Sequence, residues 1–328
     1  MKKLIALLLV LAMTMTFTAC SGSAEYKLGM GVDLNTDSSK DGQAQVDATV
    51  AAVVLDKNGK IVSCRLDVAQ SKMDITDGQV DTAATFQTKM ELGDAYGMVA
   101  YGNAIAEWDA QAKAFEQYVV GKTAEEVKNI PTTTNEHGIV ATDEALLASC
   151  TMQISEFINA IVKACGDNNS VTFKAGKDIT LGLAAITTAE ESTAADEENE
   201  GVVKMYSDFG AAVMENGKIV AAVTDSVQPQ ITMDVDGVIT GSTFKGTKME
   251  LGSDYGMVAY GNAIAEWDAQ AKAFAAYTVG KTAEEVRAIP TTQNEHGFVP
   301  ADETLLASCT MQITGMMAVI AQAADYAR

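Results

Sequence analysis

One stretch of this chain occurs twice, and that duplication limits what the chain can fold into. Thr88-Lys89-Met90-Glu91-Leu92-Gly93 runs through Tyr96-Gly97-Met98-Val99-Ala100-Tyr101-Gly102-Asn103 into Glu107-Trp108-Asp109. The same run returns from Thr247-Lys248-Met249-Glu250-Leu251-Gly252 to Glu266-Trp267-Asp268, at a constant offset of 159 residues. From Thr88 to Val119, 27 of 32 positions match their counterparts, while the preceding strands have drifted much further. Packing alone would let Ala100 or Gln111 drift as freely as those strands, so function is expected here. Two units of roughly 150 residues are each of normal domain size.

Each unit reads as strands followed by helices. Tyr26 to Gly31 is a first strand, and Asn35 to Gln43 a polar loop. Val46, Ala48, Val50, Ala52 and Val54 alternate as in a strand with one buried face. Asp56-Lys57-Asn58-Gly59 is a hairpin turn, because Asn-Gly tolerates the positive φ of a type I′ turn; Asn216-Gly217 repeats it. Val62, Cys64, Leu66 and Val68 alternate back, and Asp77-Gly78 turns toward a further strand near Thr85 and Phe86. Asn103 is expected to cap a helix with Ile105, Trp108, Ala112, Phe115 and Val119 on one face. Thr123-Ala124-Glu125-Glu126 and Thr282-Ala283-Glu284-Glu285 are capping boxes. Thr132 to Gly138 reads as a loop, Ser149 to Met152 as a short strand, and Ser155 as the cap of a last helix. The expected fold is α+β: two tandem repeated domains, 26–166 and 167–328, each an antiparallel sheet packed by about three helices.

The chain begins with Lys2 and Lys3, an apolar run from Leu4 to Phe17, and small residues before Cys20. This is a secretory signal over residues 1–19, too short to span a bilayer as a mature helix. Phe17-Thr18-Ala19-Cys20 resembles a bacterial lipobox, which implies cleavage before Cys20, lipid on its sulfur and a tether over 20–25; plain secretion is the other reading. The expected location is the extracytoplasmic face of the membrane, held by that lipid.

The formal net charge of −21 repels nucleic acid and anionic lipid. A small anionic ligand needs a covalent bond or local cations here. Apolar content of 48% argues for folded domains. The five cysteines match no zinc spacing, and their placement in the two copies is not that of a disulfide framework; buried small apolar side chains are the expectation.

Tyr96, Tyr101 and Trp108, with Tyr255, Tyr260 and Trp267, are candidates for stacking on a planar ligand. For Trp108 core packing ranks first, since it lies on the apolar helix face. His137 and His296, one per unit, fall short of a zinc ligand set. Glu107 and Asp109 are neighbours on a helix and point apart. Thr88-Lys89 and Thr247-Lys248 pair a hydroxyl with a cation that could neutralise an attached phosphate, or end a strand. No base beside a threonine is evident in the sequence.

The lipobox, the two tandem units, the hairpin Ala51 to Val62, Glu91-Leu92-Gly93-Asp94-Ala95-Tyr96-Gly97-Met98, Glu107-Trp108 and Val120-Gly121-Lys122-Thr123 together resemble the PplA-type flavinylated lipoproteins of Gram-positive extracellular electron transfer. The resemblance covers nearly the whole mature chain. It implies an electron carrier with one covalent FMN on a threonine of each domain, installed from FAD by a flavin transferase. A membrane quinone-linked reductase would supply electrons, and soluble flavin or a metal would take them. The family's signal, Asp, two residues, then Ser/Thr-Gly-Ala-Thr, is present only in part, at Asp81-Thr82-Ala83-Ala84-Thr85 and Thr240-Gly241-Ser242-Thr243. Thr88 and Thr247 align without a gap and carry the lysines Lys89 and Lys248, so they are the expected attachment sites, with Thr85 and Thr243 next. Tyr96, Tyr255, Tyr101 and Tyr260 would meet the ring. The alternative class is a non-catalytic surface lipoprotein, a solute-binding or interaction module without flavin.

Overall fold

The computed structural model describes residues 23–136, 138–295 and 297–328. The signal segment, Cys20, His137 and His296 lie outside the described residues. Long alternating apolar runs build three strands, β1 (Ala24–Asn35), β2 (Gln43–Asp56) and β3 (Ile61–Asp74). Helices α1 (Lys89–Leu92), α2 (Met98–Gly102), α3 (Trp108–Val119) and α4 (Ala124–Lys128) follow. The hairpin β4 (Thr132–Asn135) and β5 (Gly138–Ala141) leads to α5 (Glu144–Leu147), α6 (Ser155–Cys165) and β6 (Ser170–Ala175). The second half contains β7 (Thr180–Thr188), β8 (Gly201–Val203), β9 (Tyr206–Glu215), β10 (Lys218–Val227), β11 (Gln230–Met233) and β12 (Ile239–Thr243). Then come α7 (Lys248–Leu251), α8 (Met257–Gly261), α9 (Trp267–Thr278), α10 (Ala283–Arg287), the hairpin β13 (Thr291–Asn294) and β14 (Gly297–Pro300), α11 (Glu303–Leu306) and α12 (Thr314–Asp325). The molecule is α+β with two similar halves, and its strand pairs are antiparallel. No helix among the described residues is long and apolar enough to cross a membrane.

The sheets are ordered β3-β2-β1-β6, β10-β9-β7 and β12-β11-β8. The alternation in β2 predicts one buried face, and both are buried. Val50, Ala52 and Val54 join Leu28, Leu181, Phe209, Ala211 and Val213 in a core shared by the two halves. Ala51, Val53 and Leu55 face the other way, onto Trp108, Phe115 and Ile161. β9 repeats this, with Ala212 facing Trp267, Phe274 and Ile320. The result is helices, sheet, sheet, helices. β6, which follows the expected boundary near Gly166, pairs back with β1 from Ala24↔Ala175 to Gly29↔Ser170.

Several local expectations are corrected. Asn103 does not cap a following helix. It ends α2 in the left-handed region (φ 50), a conformation asparagine tolerates, and α3 starts only at Trp108. Ile105 is therefore exposed instead of lying on the apolar stripe. Residues Thr85 and Phe86 form no strand. Thr132 to Gly138 belongs largely to the β4–β5 hairpin, and Ser149 to Met152 is irregular. Ser155 is the first residue of α6, which is preceded by Ile154 without a side-chain cap. Asn216-Gly217 forms the two-residue turn with both φ positive (52 and 76), whereas the first hairpin has a longer loop in which only Gly59 (φ 74) is left-handed. Both capping boxes are present. Cys64, Cys150, Cys165 and Cys309 are free thiols, and Cys150 and Cys309 lie in separate cores.

Helix α6 lies directly on β1, and α12 directly on β7. A Cβ built on Gly29 falls on the Ala164 carbonyl oxygen, and one on Gly182 falls on that of Ala323, the residue one repeat later. The backbone carbonyl cannot swing away as a flexible side chain would. Gly29→Ala and Gly182→Ala should each lower unfolding stability by about 2 kcal/mol, the usual cost of overpacking. Urea unfolding midpoints equal to the parent's would show that the helices are not seated this way.

Candidate functional site

The repeated segment wraps a cavity, and its walls are tied by side chains that reach back to the main chain. Glu107 accepts hydrogen bonds from the Met98 and Val99 amides at 2.8 and 3.0 Å; Glu266 does the same for Met257 and Val258 at 2.8 and 3.1 Å. The carboxylate thus satisfies the free N–H groups at the start of α2 or α8. Fully buried Gln111 donates to the Ala106 carbonyl at 2.8 Å and accepts from the Thr151 amide at 2.9 Å. Gln270 repeats both bonds, to Ala265 and Thr310, each at 2.8 Å. Each glutamine thereby ties the loop before the long helix to the segment after the short helix α5 or α11.

In the second half this frame encloses a cavity of about 640 Å³ lined by 14 residues, among them Lys248, Tyr255, Met257, Trp267, Thr310 and Met311. All 14 have an identical residue 159 positions earlier. Lys248 Nζ lies 5.0 Å from the Tyr255 ring centre and 5.3 Å from that of Trp267. Lys89 repeats this at 4.9 Å from Tyr96 and 5.8 Å from Trp108. Both rings attract the ammonium through their negative faces, which fixes its position. Tyr96 and Tyr255 are oriented by donating to Gln70 and Gln228 at 3.3 and 3.1 Å. Trp108 and Trp267 are buried in their cores, as expected.

The structure separates the remaining candidates. Tyr101 and Tyr260 are 92% exposed, each with its ring edge over the positive-φ glycine Gly97 or Gly256, and neither lines the cavity. Thr85 and Thr243 are exposed and also outside it. Thr88 and Thr247 are buried N-caps. Thr88 Oγ1 accepts from the Glu91 amide at 3.2 Å while Glu91 accepts from the Thr88 amide at 2.9 Å, and Thr247 and Glu250 repeat this capping box. Beneath each hydroxyl sits a carboxylate that no local sequence pattern singles out. Asp67 accepts from the Val68 and Met90 amides at 2.7 and 3.1 Å, and the nearby Thr88 hydroxyl helps hold its carboxyl down. Asp225 accepts from the Ser226 and Met249 amides at 2.8 and 3.1 Å, with the Thr247 hydroxyl in the same supporting role. Both are in the drifted strands, at an offset of 158 because the second hairpin is one residue shorter, so the main repeat register hides them.

A flavin phosphate on Thr88 or Thr247 does not fit this arrangement. Esterification sets an anion beside Asp67 and Glu91, or Asp225 and Glu250, in a buried site. The cavity itself fits a planar ring: it is of cofactor size, largely apolar, and carries one lysine and two aromatic walls. Thr310 is the aliphatic hydroxyl among its lining residues, with Thr151 as counterpart. The sign of these residues in the sequence is the run Ala-Ser-Cys-Thr-Met-Gln-Ile, identical at 148–154 and 307–313.

No protein-family profile matches the chain. Over 109 residues it is 34% identical to a chlorophenol reductase of Desulfitobacterium hafniense, a match that takes in 29% of this chain and 33% of that protein. The matched part is thus about a third of that relative's length. A solved Bacteroides fragilis protein described as exported, with a YmcC-like fold, aligns over 69% of this chain and 95% of its own at 8% identity and a TM-score of 0.12.

Burial raises the Asp67 carboxyl to about 6 and that of Asp225 to about 7, against hydrogen bonds that pull both down. Their folded-state values therefore lie above the unfolded value, so the folded chain holds more protons between about pH 4 and 7. The stability these groups contribute is complete below about pH 4 and is lost as pH rises through 6 and 7. A carboxyl that stays protonated to one pH unit higher in the folded chain than in the unfolded one contributes about 1.4 kcal/mol. Asp225→Asn should flatten the fall in unfolding free energy between pH 4 and 7, read by urea titrations at a series of pH values. An unchanged slope would remove Asp225 as its source.

Proposed function

We propose that the chain is an extracytoplasmic electron carrier, anchored through lipid on Cys20, that holds one FMN in each half. The observation that carries this reading is the repetition of all 14 cavity-lining residues in a chain whose strands have drifted. Two like sites suit a carrier that passes electrons along. A flavin transferase loads each site from FAD, releasing AMP; a quinone-linked membrane reductase supplies electrons, and soluble flavin or a metal ion accepts them. The flavin supplies the redox chemistry. The chain's own residues bind and orient it: Tyr255 and Trp267 wall the ring site, Lys248 offers a fixed positive charge, and Gln270 and Glu266 keep the walls in place. We assign the attachment to Thr310, a lining residue of the cavity that does not serve as a buried cap, and through the repeat to its counterpart Thr151. The Thr310 hydroxyl makes only a long contact, 3.4 Å, to Gln270.

Tryptic peptides separate the cavity threonines from the other candidates. Thr151 falls in 129–163 and Thr310 in 288–328, whereas Thr85 and Thr88 share 73–89, Thr243 falls in 219–245 and Thr247 in 246–248. After co-expression with a flavin transferase and denaturation, mass spectrometry should find the FMN increment on 129–163 and 288–328, and Thr310→Ala should remove the second. An increment on 246–248 would return the attachment to the capping threonine Thr247, and one on 73–89 would place it on Thr85 or Thr88, which fragmentation of that peptide tells apart. Absence of any increment would leave the same cavities as those of a solute-binding lipoprotein and end the covalent reading.

A further inference from the structure

An exposed apolar patch borders the mouth of the Lys248 cavity. Val258, Tyr260 and Ile264 are 48, 92 and 56% exposed, and Val99, Tyr101 and Ile105 repeat those three values in the first half. Exposed Ile264 and Leu306 belong to the cavity lining, and Tyr260 directly precedes the lining residue Gly261. Exposed side chains are free to drift, yet all 14 positions from Tyr96 to Asp109 match those from Tyr255 to Asp268. Tyr260 neither packs in a core nor lines the cavity, so neither role accounts for its retention. Its ring is nonetheless held. A Cβ built on Gly256 would stand 2.6 Å from the ring, as one on Gly97 would from that of Tyr101. A tyrosine already seated against backbone loses little freedom on binding, which suits an anchor side chain.

The surroundings of the patch are acidic. Every lining residue except Lys248 comes from 255–267 or 294–312, stretches that contain Glu266, Glu295, Asp302 and Glu303 and no lysine or arginine. The first half repeats this with Glu107, Glu136, Asp143 and Glu144 in 96–108 and 135–153. Exposed Asp254 and Asp94 add to it. Lys272, the next cation along the chain, is tied to Asp268 at 3.3 Å. A second copy would bring the same acidic face, and the chain as a whole carries −21. The field around each mouth therefore selects a cationic partner.

We propose that each cavity mouth docks a protein partner through a face on which lysine and arginine side chains surround an apolar recess. Tyr260 or Tyr101 fills the recess, and the carboxylates around the mouth meet the cations. Two mouths give one chain two such docks. The dock does not depend on what occupies the cavity behind it, so it stands apart from the flavin reading.

Mitochondrial cytochrome c, whose lysines ring an apolar haem edge, is the probe. Titrated calorimetrically into the full chain without cofactor, it should bind saturably, and more weakly as salt rises from about 20 to about 200 mM. Tyr101→Ser combined with Tyr260→Ser should weaken binding at least about tenfold, the scale of a lost anchor residue. The same variant should bind a decalysine peptide, which has the charge but no recess, as the parent does. Glu197→Gln combined with Glu198→Gln, in an exposed loop that lines neither mouth, should leave cytochrome c binding nearly unchanged. Hydrogen exchange on the parent complex should show protection at 96–105 and 255–264. Failure to bind at low salt, equal weakening by the glutamate pair, full affinity in the tyrosine variant or protection confined to other segments would each overturn the proposal. Self-association of the chain in sedimentation, abolished by the tyrosine variant, would instead give the patch to a second copy and overturn it too. Attachment of FMN, or its absence, changes none of these outcomes.

Discussion

The molecule depends on the burial of two sheets against each other. Val50, Ala52 and Val54 on β2 and Phe209, Ala211 and Val213 on β9 lose their water to the opposite half, and the hydrophobic effect per unit area makes that the main attraction between them. Once both sheet faces are covered, each half's helices can only pack outside. Their residues then meet across the seams in a repeated way. Lys163 of α6 pairs with Glu250 at 2.9 Å, and Gln322, one repeat after Lys163, donates to Glu91 at 2.8 Å. Such partly exposed contacts add little stability; their repetition marks the near-twofold relation of the halves.

That arrangement explains why the two copies diverged unevenly. In the shared core, alanine, valine and phenylalanine can exchange if total volume is kept, so β2 and β9 differ at most positions. Around the Lys–Tyr–Trp cavity no such latitude exists, since Gln270 and Glu266 must satisfy named backbone groups and the rings must face the lysine. The buried aspartates are the exception. They lie in drifting strands yet persist in both, each fastening the first turn of α1 or α7 to its sheet at a cost in desolvation.

Much of the fold was legible from local rules. The alternation in β1 to β3, the capping boxes at Thr123 and Thr282, and the hairpin at Asn216-Gly217 all follow from short-range stereochemistry. The failures share a cause. Asn103 is a good cap by propensity, but the chain turns left-handed there and the helix begins five residues later, where Trp108 can reach Phe115 and Phe157 in the core. Ser149 to Met152 has the composition of a strand but has no partner strand beside it, and instead donates the Thr151 amide to the side chain of Gln111, 40 residues away.

The sequence by itself determined that there are two like halves, that each is α+β, and that the segment after Thr88 and Thr247 is the constrained part, because repetition and periodicity are properties of a chain read in order. Only the tertiary structure decided that these halves share a core, that Thr88 and Thr247 are buried over Asp67 and Asp225, and that Thr310 lines the cavity while Tyr260 does not. Those outcomes depend on which faces meet and which polar groups are left without water, and they join residues tens of positions apart that no local pattern connects.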